Sequence, residues 1–191
     1  MHLPAIPDGV RLLGLCGAPG VGKSTVAAAL AARDGAVVVP MDGFHYPQAE
    51  LVRRGTRDRM GAPETFDAEG YAALLARVRG REQVRAPGFD RVVEEPVPEQ
   101  IEVPAGADLV VTEGNYLLLD EPVWREIHAL LDECWYVDVA AELRVRRLVA
   151  RHVAYGKSPA EAEEWVARSD EANARLVEAT RTRADVVVRL G

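Results

Sequence analysis

The sequence predicts an α/β protein, a three-layer α/β/α sandwich on a mainly parallel five-stranded sheet, with a helical lid. Short β-branched apolar runs alternate with longer helical stretches along the whole chain, the pattern of strands joined by crossover helices. Those runs are apolar at consecutive positions, as strands buried on both faces are. The chain has 191 residues, 48% of them hydrophobic, enough for one sizeable core and short for two. A single domain over residues 1–191 is therefore expected.

Val10 to Cys16 is an apolar run that enters a glycine-rich turn, Gly17 to Gly22, and alanine-rich Ser24 to Arg33 follows as a helix. Ala36 to Pro40 is a second compact β-branched run, delivering Met41-Asp42-Gly43 at its C-terminal end, where ligands of open α/β sheets gather. Residues 43–104 are less regular and read as a substrate-binding insertion. It holds a helix from Ala68 to Arg79 capped by Asp67, a loop Ala86-Pro87-Gly88-Phe89-Asp90 and a short edge strand from Ile101 to Val103. Asp108 to Thr112 is a buried strand ending at Glu113-Gly114-Asn115.

Pro122 to Leu131 reads as a helix and Cys134 to Val139 as a strand. Ala141 to Tyr155 is amphipathic, begins a lid over about 144–160, and should end at Gly156. Ser158 caps a further helix with Pro159 at its first position, running toward Val177, and Asp185 to Leu190 closes the chain as a strand.

The formal net charge of -7 excludes a general attraction to nucleic acid or anionic membrane, so neither is expected as a partner. The two cysteines, Cys16 and Cys134, lie inside apolar runs and are expected as buried free thiols in a reducing compartment. Met1 to Gly9 contains no apolar run of signal-peptide length, and nowhere do eighteen apolar residues occur together. A soluble, cytoplasmic protein is expected, and a homodimer is compatible with the sequence.

The segment Gly17-Ala18-Pro19-Gly20-Val21-Gly22-Lys23-Ser24 fits G-x-x-x-x-G-K-[ST] in full, with Thr25 next, and lies between a strand and a helix as that P-loop motif requires. Glycines let successive backbone NH groups converge on phosphates, and the helix N-terminus adds partial positive charge. Lys23 should reach the β- and γ-phosphates of ATP, and Ser24 offers a hydroxyl to Mg²⁺.

Phosphoryl transfer to an alcohol also needs a carboxylate near the metal and a group that orients or deprotonates the hydroxyl. Asp42 and Glu113 both arrive at strand ends beside the P-loop strand. Asp42 is assigned to the acceptor hydroxyl and Glu113 to Mg²⁺ through a bound water. Arg144, Arg147 and Arg151 share one helix face, which can close over the phosphates or remain a solvated face. Arg147 is counted among the catalytic residues, with the choice of lid arginine open.

His45 and Tyr46 follow Asp42 closely enough to line the acceptor pocket. Arg57, with Arg54 and Arg59, can hold an anionic acceptor group, and Phe89 with Asp90 can stack on and hydrogen-bond a polyol or base. Asn173, on the late helix, is a further substrate contact. His2, His128 and His152 show no metal-ligand spacing with each other or the cysteines, so no zinc site is expected.

The P-loop GAPGVGKST, the run Met41-Asp42-Gly43-Phe44-His45-Tyr46 and Glu113-Gly114-Asn115 resemble the superfamily of phosphoribulokinase, uridine kinase and bacterial pantothenate kinase. Gly61 to Asp67 is similar to the segment before a substrate-side helix in pantothenate kinases, and Thr180 to Ala184 looks like their C-terminal pattern. Phe89-Asp90 looks like the glycerate kinases and sugar or nucleoside kinase relatives. The resemblance implies transfer of the γ-phosphoryl group of ATP to a hydroxyl of a nucleoside, sugar or pantothenate-like metabolite, with Asp42 handling that hydroxyl. A nucleotide-dependent switch shares the P-loop, but the strand Cys134 to Val139 lacks the Asn-Lys-x-Asp element that reads guanine. A non-catalytic nucleotide-binding protein would not need Lys23, Ser24, Asp42 and Glu113 together.

Overall fold

The computed structural model describes residues 3–191, so His2 lies outside the described residues. Five strands form the central sheet: β1 (Leu12–Cys16), β2 (Val37–Pro40), β5 (Val110–Gly114), β6 (Glu133–Asp138) and β7 (Val186–Arg189). Their order is β2-β5-β1-β6-β7, and every pairing is parallel. Period-2 alternation splits each apolar run between two cores. Leu12, Cys16, Val110, Cys134 and Tyr136 pack on one face, whereas Leu13, Leu15, Val111, Trp135 and Val137 pack on the other.

Helix α1 (Lys23–Asp34) covers the second face with Val26, Ala27 and Leu30. On the first face, α3 (Ala68–Arg79) and α4 (Pro122–Leu130) contribute Tyr71, Leu75, Trp124 and Ile127. Asp67 caps α3 as the sequence predicts, its Oδ1 accepting from the Gly70 amide at 3.0 Å. Tyr71 donates its hydroxyl to Thr112 Oγ1, and that hydroxyl in turn donates to the Val39 carbonyl at 2.7 Å. This buried chain ties α3 to β5 and β2, the strands that carry both candidate carboxylates.

The insertion differs from the sequence expectation. Ala86 to Asp90 is not a loop: it belongs to β3 (Val84–Asp90), and the expected edge strand 101–103 is only the end of β4 (Glu95–Val103). Together they make an antiparallel hairpin, separate from the main sheet. Pro87 and Gly88 read as breakers, yet the register shifts between Ala86 and Gly88, and proline is admitted into a strand at such an irregularity. Before the hairpin lies α2 (Gln48–Arg54).

The segment expected as a lid begins with α5 (Ala141–Ala154), which stops just before Gly156 at φ 101°. Ser158 and Glu161 then form a reciprocal capping box around Pro159 at the start of α6 (Pro159–Trp165). The expected single helix toward Val177 is interrupted. A π-helical turn, Val166–Asp170, separates α6 from α7 (Glu171–Glu178) and turns Asp170 and Asn173 toward the cleft. Cys16 and Cys134 are buried and free, and burial pushes the Cys16 thiol up to about 11. No helix among the described residues is long and apolar enough to cross a membrane.

Replacing Thr112 by Val strands the Tyr71 hydroxyl in an apolar layer. Urea unfolding should show a loss of about 1–3 kcal/mol at unchanged m-value; unchanged stability would mean that this chain of bonds contributes nothing.

Candidate active site

The P-loop joins β1 to α1 through Gly20 and Gly22 at φ 81° and 101°, the left-handed region that glycine enters without penalty. Gly22 is the N-cap of α1 and provides no side-chain cap, so the amides of the first turn face the cleft without an internal partner, as an anion site requires. A Cβ on Gly20 would lie 2.7 Å from Leu148 Cγ, so α5 rests directly on the loop.

Lys23 is buried, and its Nζ donates to Asn115 Oδ1 at 2.6 Å and to the carbonyls of Gly17 and Ala18 at 2.9 and 3.2 Å. Burial lowers its pKa, with Glu113 pulling the other way. Ser24 Oγ donates to Glu113 Oε1 at 2.7 Å. Burial raises the Glu113 carboxyl, and the charge of Asp42 raises it further against Lys23 and Ser24.

Asp42 lies on a 3-10 turn, Met41–Phe44, just past β2. The β2–β5 register pairs Pro40 with Glu113, so both carboxylates reach the same sheet edge. Burial alone would raise the Asp42 carboxyl; Arg91 first, then His45 and Lys23, outweigh it and hold the pKa below the usual carboxylate value. Arg91 donates to Asp42 Oδ2 at 2.6 Å. His45 Nδ1 lies 2.9 Å from the Asp42 carbonyl, which can only accept, so Nδ1 carries the proton. Burial pushes the His45 pKa down, and its Nε2 has no partner among the described residues.

These groups line one cleft of about 310 Å³, within the range of ligand sites. Of the expected nucleotide residues it brings together Pro19, Gly20, Gly22, Lys23, Ser24 and Thr25, whereas Gly17, Ala18 and Val21 are buried and do not line it. Asp42, His45, Phe89, Glu113, Arg147 and Asn173 also line the cleft.

Three expected substrate residues do not reach it. The ring of Tyr46 carries the Arg54 guanidinium 3.9 Å from its centroid, and Arg57 pairs with Glu94 at 2.8 Å. Asp90 Oδ1 accepts from the Val92 amide at 2.8 Å and closes the hairpin turn. Of the expected arginine face, Arg147 and Arg151 face the cleft, but Arg144 is buried against Glu171 at 2.7 Å because α7 packs on that side. Sequence reasoning gave no role to Arg91, which directly follows Phe89-Asp90, or to Asn115, the last residue of the run Glu113-Gly114-Asn115. It also missed the pair His152–Asp170, 2.8 Å apart, which depends on the π-helical turn.

The sequence model of the Phosphoribulokinase / Uridine kinase family matches residues 12–191. The chain belongs to this family. The ATP-dependent kinase-like protein notR' of Aspergillus versicolor is 39% identical over 145 residues, covering 70% of this chain and 84% of that protein. A Schizosaccharomyces pombe protein provisionally named uridine kinase C227.14 is 37% identical over 194 residues, covering 93% of this chain and 82% of its own. Among solved structures, a Silicibacter sp. TM1040 protein provisionally named a fructose transport system kinase superposes with a TM-score of 0.87 at 40% identity, covering 97% of this chain and 93% of that one.

In this family member the Asp42 side of the cleft is hung on Gly43. A Cβ there would overlap the Pro87 carbonyl, so the hairpin packs directly on the turn that carries Asp42. Gly43→Ala should displace β3, costing about 1–3 kcal/mol on denaturation while leaving Mg·ATP affinity within about twofold. Wild-type stability would refute this close packing.

Proposed function

We propose that the chain is an ATP-dependent kinase that transfers the γ-phosphoryl group to a hydroxyl of a small metabolite. The observation that carries this reading is the convergence of Lys23, Ser24, Asp42 and Glu113 on one cleft from the ends of β1, β2 and β5. Binding alone would not require a second carboxylate beside the first. The relatives' names support a kinase and span several acceptors, so a nucleoside, a sugar or a pantothenate-like acid are the acceptors to compare.

The amides at the start of α1 and the Lys23 ammonium bind the triphosphate, the lysine exchanging Asn115 for a phosphate oxygen. The oxygen set of Ser24 and Glu113 fits magnesium. Magnesium, when bound there, neutralises phosphate charge. Asp42 accepts the hydrogen of the acceptor hydroxyl while that oxygen bonds to the γ-phosphorus. The bond to the bridging oxygen breaks with its electron pair leaving on ADP, and the proton then passes from Asp42 to solvent. Arg147 and Arg151, on the lid face of the cleft, stabilise the charge on the transferred group. The buried free thiols of Cys16 and Cys134 support a reducing, cytoplasmic setting.

ADP release with Mg·ATP against nucleosides, pantothenate, glycerate and common sugars tests the reading, with Asp42→Asn as control. One acceptor should be turned over, and Asp42→Asn should lower that turnover by about two to four orders of magnitude with nucleotide binding retained. Undiminished turnover in Asp42→Asn would remove Asp42 from the chemistry. Silence across the panel with Mg·ATP bound would favour a nucleotide-binding protein without catalysis.

A further inference from the structure

The carboxylates on the acceptor side of the cleft are all engaged. Asp42 is held by Arg91 at 2.6 Å, Glu94 by Arg57 at 2.8 Å and Asp170 by His152 at 2.8 Å. Arg54 and Arg59, the other guanidinium groups that the sequence suggests for an anionic acceptor, pair with Glu50 and Glu64 outside the cleft. Arg91 is therefore the guanidinium on this side that lines the cleft and touches the acceptor carboxylate directly.

That contact conflicts with the role of Asp42. A carboxylate occupied by a guanidinium is a weaker acceptor for a hydroxyl proton, since the paired cation stabilises its charged form. Conversely, a half-buried guanidinium that loses its carboxylate needs another oxyanion, because a desolvated charge without a partner is costly. Arg91 sits at the tip of the hairpin, where its side chain can change partner without disturbing the main sheet. β3 and β4 pair only with each other among the described strands, and the turn between them carries Arg91, exposed Val92 and Val93, and Glu94 at φ 54°. A non-glycine residue held in that region belongs to the strained positions that cluster at ligand clamps and switches.

Resting on the kinase reading above, we propose that Arg91 latches Asp42 and is drawn off it by an oxyanion on the acceptor, so that the substrate is a hydroxyl-bearing carboxylate or phosphate ester. The anion takes the guanidinium, for which a planar two-point match is the favourable geometry. The same movement frees Asp42 Oδ2 for the hydroxyl. Neutral acceptors leave the latch closed, and selectivity for the anion and activation of the base become one event.

Matched acceptors differing only in the anion test this: glycerol against glycerate, pantothenol against pantothenate, ribose against ribose 5-phosphate, and fructose against fructose 6-phosphate. For the pair that is turned over, wild type should prefer the anionic member by at least about 100-fold in kcat/KM. In Arg91→Gln the preference should fall to within about fivefold, through loss with the anionic member and gain with the neutral one, for which Asp42 is no longer latched. The pairs also tell carboxylate from phosphate. Neutral acceptors used as well as anionic ones by wild type would overturn the proposal. So would equal losses on both members in Arg91→Gln, which would make Arg91 a fixed support of Asp42.

A second measurement needs no turnover and separates failure of the latch from failure of the kinase reading. Inorganic phosphate is titrated into protein labelled with ¹³C-aspartate, with Mg·AMP-PNP in the cleft, and the Asp42 carboxyl signal is followed. Phosphate should move that signal in wild type and not in Arg91→Gln; a signal that does not respond in wild type would overturn the latch.

Discussion

A buried ammonium organises this molecule. Lys23 lies at the first position of α1 with its Nζ closed off by Asn115 Oδ1 and two P-loop carbonyls, and burial works against its charge. Such a group is tolerated only where hydrogen bonds and negative charge surround it. The sheet order supplies both, because β5 lies between β1 and β2 and its C-terminal end carries Glu113 and then Asn115 to the P-loop. A rearranged strand order would leave the ammonium without its carboxylate and the carboxylate without Ser24.

The cleft is a balance of charges in which each half lacks what its ligand brings. On the nucleotide side, Lys23, Arg147, Arg151 and the uncapped amides of α1 outnumber the anions present, a surplus that phosphates neutralise. On the acceptor side, Asp42, Glu94 and Asp170 are each matched by a basic partner. Both halves stand on rigid supports: Leu148 of α5 against Gly20, and Pro87 of the hairpin against Gly43.

The parts of the fold legible in the sequence are those set by local pattern. The P-loop, the two strand-end carboxylates, the Asp67 cap and the Ser158 cap with Pro159 each occupy a few consecutive residues whose chemistry has one structural use. The five parallel strands were legible because burial on both faces leaves continuous apolar runs. The hairpin was not, since Pro87 and Gly88 carry the signature of a loop and only pairing with β4 makes them a strand. Arg91 was hidden for a related reason: its partner is 49 residues away. Arg57 drew attention through a local cluster of arginines that the structure spends on exposed pairs. The π-helical turn that aims Asp170 and Asn173 leaves no periodic signal in so short a stretch.

Calorimetric titration of Mg·AMP-PNP into wild type and Lys23→Ala tests most directly whether the cleft is a triphosphate site organised by this ammonium. The account predicts saturable one-to-one binding to wild type and at least about tenfold weaker binding to the variant, or about 1.4 kcal/mol. Equal affinity of the two proteins would contradict it.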